Sequence, residues 1–93
     1  VIARVKSGIA VEKVLPLVSP EAAKAWQFYA SEQIRQMYYI ADMSGAVMLW
    51  EGESVESVTK EAQKLPMYEA GVLDLEILPL KPYTAYASLF TQG

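Results

Sequence analysis

Residues 34–50 read IRQMYYIADMSGAVMLW. The first part, Ile34 to Ala41, is rich in β-branched and aromatic side chains that fit a pleated, half-buried surface, and Ala46 to Glu51 repeats that character. Between them Asp42-Met43-Ser44-Gly45 supplies turn chemistry, so the stretch is a β-hairpin. A symmetric turn sets Tyr39 opposite Met48 and Met37 opposite Trp50 on one face, with Ile40 opposite Val47 and Tyr38 opposite Leu49 on the other. A slip of a single residue exchanges the two sets, and the pattern leaves open which of them meets the rest of the protein.

Working outward from the hairpin toward the N-terminus, Ser19-Pro20-Glu21 is a helix start. A hydroxyl can accept an orphan backbone N–H, proline in the first turn loses no bond, and an acid sits near the positive end of the dipole. Ala22, Trp26, Tyr29 and Ala30 then share one face, which directs the aromatic pair into the core. Val1 to Lys6 alternates as a strand does, whereas Ser7 to Val18, punctuated by Gly8 and Pro16, follows no clean period and has room for one helical turn. On the C-terminal side Ser54 caps a second amphipathic helix carrying Val55, Val58, Ala62 and Leu65, which Pro66 stops. Gly71 to Leu78 alternates again, with Leu73, Leu75 and Ile77 on one side and Val72, Asp74, Glu76 and Leu78 on the other.

The resulting order is βαββαβ. It predicts an α+β, ferredoxin-like single domain over residues 1–93, a four-stranded antiparallel sheet with two helices on one face. In the usual strand order the first and last strands are neighbours, so Arg4 and Lys6 fall beside Asp74 and Glu76 on the face without helices. That face also carries Val72, Leu78 and one of the two hairpin sets. Such a mixed surface suits burial against the sheet of a second copy, which predicts a homodimer.

Composition narrows the chemistry. The 93 residues are 53% hydrophobic and 20% charged with a formal net charge of −3, and they include neither cysteine nor histidine. The apolar content is that of a folding chain. The acidic balance argues against nucleic acid as a partner, and no apolar run is long enough for a membrane helix. Disulfides, thiolate nucleophiles, imidazole bases and usual zinc ligation are excluded. With no secretory pattern at the start, the cytoplasm is the expected compartment. The ending, Lys81 to Gly93, holds Tyr83, Tyr86, Leu89 and Phe90 and is too apolar for a free terminus, which predicts docking on the domain or on a partner subunit.

The residues EAAKAWQFYA (21–30), the hairpin IRQMYYIADMSGAVMLWEG (34–52), the Leu65-Pro66 pair and GVLDLEILPLKPY (71–83) together resemble the dimeric α+β barrel superfamily, on its muconolactone δ-isomerase-like side. The IRxMYxxAD pattern followed by GAV is similar to a subgroup of small proteins whose activities are mostly unassigned. The resemblance implies a homodimer whose sheets form a barrel, a pocket between sheet and helices in each subunit, and neither metal nor organic cofactor. It also implies cofactor-free isomerisation of a lactone or aromatic-derived acid, which needs a base and a group to stabilise an enolate. A non-catalytic binding or assembly module is the alternative.

The candidate catalytic residues are Arg35, Tyr39 and Glu76. Arg35 has the fork to hold a ligand carboxylate, and its structural alternative is an ion pair with Glu51 or with a carboxylate of a partner subunit. A desolvated Glu76 or Asp74 would serve as the base, against the alternative of pairing with Arg4 and Lys6. Trp26, Tyr29 and Trp50 are the candidate ligand-binding residues, with core packing as the competing role. Asp42 is read as a turn former.

Overall fold

A computed structural model describes residues 1–90 of the chain. The strands are β1 (Ile2–Val5), β2 (Ile34–Tyr39), β3 (Gly45–Trp50) and β4 (Leu73–Glu76). The helices are α1 (Val11–Val14), α2 (Val18–Ala30), α3 (Val55–Ala62) and α4 (Pro66–Glu69), with 3₁₀ turns at Leu15–Leu17 and Thr84–Phe90. The four strands form one antiparallel sheet in the order β2-β3-β1-β4, the α+β, ferredoxin-like arrangement.

Helical structure begins earlier than Ser19. The irregular stretch before it holds α1 and the 3₁₀ turn, and Leu17 is already helical, so Ser19 and Pro20 lie inside the first turn of α2 without a side-chain cap. Pro16 separates α1 from α2 because it has no N–H to continue the ladder. Helix α3 starts as expected: Ser57 donates its backbone N–H to Ser54 Oγ at 3.1 Å, and Ser54 N–H donates back to Ser57 Oγ at 3.2 Å. Pro66 ends that helical run and opens α4, where a proline at the first position loses no bond.

The hairpin keeps its parity but not its symmetric register. Met37 pairs with Met48, Tyr38 with Val47 and Tyr39 with Ala46, and the ladder is irregular between Ile34 and Gln36. The turn explains the offset. Ser44 N–H donates to Asp42 Oδ1 at 2.9 Å, Met43 adopts φ 64°, and Ile40 leaves the strand after donating its N–H to Gly45 O. Asp42 is therefore the turn former that the sequence predicts. The irregularity is a bulge that takes up Arg35, so Ile34 and Met37 point to the same face although three positions apart.

Ala3, Ile34, Met48 and Leu73 of the sheet are buried with Phe28 of α2, Leu65 and Val72, and they form the core. The face toward the helices is therefore the Met37, Tyr39, Met48 and Trp50 set. The other face carries Ile2, Arg4, Tyr38, Val47, Leu49, Asp74 and Glu76. There Arg4 stands opposite Asp74 and forms an exposed ion pair with Glu76 at 3.5 Å. Val72 departs from the expected open face: it precedes β4, donates its N–H to Met67 O, and is buried in the core.

The chain is elongated, 62 Å in its longest extent against 27 and 20 Å in the others. Leu80, Tyr83, Tyr86, Leu89 and Phe90 are between 65 and 80% exposed, so the expected docking of the tail on its own domain is not found for the described residues. Residues 91–93 of the tail lie outside them.

At Gly45 the backbone of β1 comes close to β3. A Cβ built there would lie within 3.0 Å of the Ala3 carbonyl and of Arg4 Cα, all of it backbone that has nowhere to retreat. Gly45→Ala is expected to cost about 1–3 kcal/mol, the usual penalty of overpacking. Thermal denaturation should show a midpoint lowered by more than ~4 °C, and an unchanged midpoint would contradict the close approach.

Candidate functional site

Between the sheet and α2 lies a cleft of about 560 Å³, within the roughly 300–1,000 Å³ range of small-molecule sites. It exists because small residues face one another there. Ala3, Gly45 and Ala46 floor it from the sheet, and Ala22 and Ala25 face them from α2. Farther along the same layer Phe28 and Trp50 fill the space, their ring centroids 4.8 Å apart. The four methionines of the chain, Met37, Met43, Met48 and Met67, all line the cleft. Their flexible, polarisable side chains make a wall that can adapt to differently shaped apolar ligands.

Trp26 and Tyr29 do not enter the core. They are 65% and 51% exposed, and the buried face of α2 is centred on Ala25 and Phe28 instead. The helix is turned so that its smallest and its flattest side chains meet the sheet, which leaves the larger pair on the flank. From there both line the cleft, with centroids 5.5 Å apart and planes tilted by 31°. Tyr39 lines it from β2, opposite Ala46. Trp50 does not line it: this residue packs on Phe28, with its buried indole N–H lacking a hydrogen-bond partner among the described residues.

The three candidate catalytic residues are not brought together. Tyr39 faces the cleft, Arg35 is exposed in the bulge of edge strand β2, and Glu76 lies on the opposite face of the sheet in its ion pair with Arg4. Arg35 forms no ion pair with Glu51 or with any other described residue.

One carboxylate does line the cleft, and it is one that the sequence marks only as a helix-start acid. Glu21, in the first turn of α2, accepts the backbone N–H of Met67 on its Oε1 at 2.9 Å. The bond has a clear local cause. Leu65 and Pro66 offer no side-chain cap to α4, so the orphan N–H of Met67 turns to a carboxylate on another element. Burial in apolar surroundings pushes the Glu21 carboxyl above its ordinary range, opposed by the Met67 hydrogen bond. Its second oxygen accepts no hydrogen bond from a described residue. Asp42 shifts the other way, held low by its hydrogen bonds from Ser44, and it is fully exposed at the turn. A half-buried acid with a raised proton affinity beside an apolar cleft can accept or deliver a proton.

A second depression, lined by Lys6, Thr59, Gln63, Tyr68 and Asp74 among others, runs along β4 and is polar. No group of His, Cys, Asp and Glu among the described residues is arranged to hold a metal ion. No helix among them is long and apolar enough to cross a membrane. No protein-family model matches the chain, and no curated protein is significantly similar to it.

The raised proton affinity of Glu21 has a sign that can be measured. Between its unfolded and folded values the native state binds more protons, so this residue's contribution to stability falls as pH rises through that window. Glu21→Gln keeps an acceptor for Met67 N–H without a charge. It is expected to match or exceed the wild-type melting midpoint at pH 7, by less than ~4 °C for a group this accessible, and to flatten the pH dependence just above the ordinary carboxylate range. A variant that melts lower yet retains the wild-type pH profile would remove Glu21 from this role.

Proposed function

We propose that the protein binds a small, largely apolar molecule in the cleft between its sheet and α2, without a cofactor, and that Glu21 exchanges a proton with it. The observation carrying this reading is the single half-buried carboxylate set in an otherwise apolar cleft of about 560 Å³. Trp26, Tyr29 and Tyr39 serve as the aromatic wall, and a tyrosine hydroxyl, that of Tyr39 or Tyr29, is able to donate to an oxygen of the ligand. The resemblance to muconolactone isomerase-like barrels points to proton transfer at a carbon beside a carbonyl. In that chemistry Glu21 takes the proton as base and returns it to the neighbouring position, while a hydroxyl stabilises the intervening enolate. The roles first given to Glu76 and Arg35 pass to Glu21 and Tyr39, because those are the groups that face the cleft.

The same proposal includes a homodimer formed through the open face of the sheet. Ile2, Tyr38, Val47 and Leu49 leave apolar surface there beside the exposed Arg4–Glu76 pair, and both signs of charge on one face allow it to complement itself. A second reading, an assembly module without catalysis, draws its support from the exposed apolar side chains of the 80–90 segment.

Screening small lactones and aromatic carbonyl compounds by thermal shift tests the first reading. At a ligand concentration near 100 times Kd, binding should stabilise the chain by ~2.7 kcal/mol. Ala22→Leu, which fills the cleft from the helix side, should abolish the gain. Proton transfer should appear by NMR as deuterium exchange beside the carbonyl in D2O, lost in Glu21→Gln while the thermal shift persists. If no compound shifts the midpoint and light scattering shows assembly, the module reading replaces it; a monomer at micromolar concentration retires the dimer.

A further inference from the structure

Among the described residues, no lysine or arginine lines the cleft. Arg4 is on the open face, paired with Glu76, and Arg35 is in the bulge at the sheet edge. The Lys24 ammonium sits over the Phe28 ring at 5.3 Å and is absent from the lining, as is Lys6, which borders the polar depression along β4. Among the described residues, Glu21 is the one Asp, Glu, Lys or Arg lining the cleft. An anionic ligand would find no cation there and would meet a carboxylate of its own sign.

We infer that the cleft selects an aromatic or alicyclic amine, a compact apolar body whose protonated nitrogen faces Glu21. Glu21 Oε1 is already engaged by Met67 N–H at 2.9 Å, which fixes the carboxylate and leaves Oε2 to accept from the ligand's ammonium. Trp26, Tyr29 and Tyr39 line the cleft, and an aromatic ring attracts a cation over its face, more strongly once water is displaced. A carboxylate in apolar surroundings is costly without a partner, and an ammonium brought in by the ligand offsets that cost. The methionine walls accommodate the ring without dictating its shape. The overall charge of −3 favours the approach of cations over anions. The inference rests on the cleft as a ligand site and is independent of the proton-transfer step and of dimerisation.

The test compares three compounds on one skeleton, naphthylmethylamine, naphthylmethanol and naphthoic acid. Each is titrated into the full chain at pH 7 by calorimetry, with the melting midpoint as a second readout. The amine is expected to bind at least about tenfold more tightly than the alcohol, the usual worth of a charge-assisted hydrogen bond, and the acid most weakly. Glu21→Gln should reduce the amine to the level of the alcohol, with a cooperative melting transition showing that the variant is folded. An acid that binds best, an amine equal to the alcohol in the wild type, or an amine indifferent to Glu21→Gln would overturn the charge preference and leave the cleft as a ligand site. Failure of all three compounds to bind would overturn both.

Discussion

The distribution of side-chain volume across one layer governs this molecule. Where α2 crosses the sheet near Phe28 and Trp50, rings fill the interface and exclude water. Where Ala22 and Ala25 look down on Ala3, Gly45 and Ala46, no side chain is large enough to close the gap. The small residues leave a cleft there, whereas the rings at the other end close the layer. Gly45 is constrained twice, by the backbone of β1 beneath it and by the space above it.

Glu21 shows how such a cleft acquires chemistry as a by-product of folding. A short helix beginning Leu65-Pro66 has a donor to satisfy and no local acceptor, and α2 supplies one from 46 positions away in the chain. The carboxylate is thereby carried into apolar surroundings and fixed there by one oxygen. Its proton affinity rises because desolvation outweighs the hydrogen bond it accepts. The charged groups of the open face follow the opposite logic. Arg4 and Glu76 meet in water, where their attraction is weak and easily screened.

The order of elements and the strand parity were legible in the 34–50 hairpin and its neighbours, because period and turn chemistry are local. The register was not, since it depends on Met43 taking a left-handed conformation and on a bulge absorbing Arg35, neither of which alters the alternation of residue types. The face of α2 was misread for a similar reason. Large aromatic side chains dominate a hydrophobic pattern, yet the helix packs through Ala25 and Phe28 because a flat approach to the sheet admits them and leaves Trp26 on the flank. Tyr39, Trp26 and Tyr29 were found as candidates for the cleft. Glu21 was seen only as an acid near a helix start, since the partner that draws it inward lies on a distant element. The one available sign was an acid i−4 from Ala25 and one position before Ala22, on the edge of the buried face.

The gathering of every methionine around one cavity gives that cavity a distinct vulnerability. Thioethers turn into polar sulfoxides under oxidants, and Met37 and Met43 are exposed at the rim. Peroxide reaching the chain would therefore rewrite the character of the ligand chamber while the Phe28–Trp50 end of the layer, which has no sulfur of its own, stayed chemically as it was.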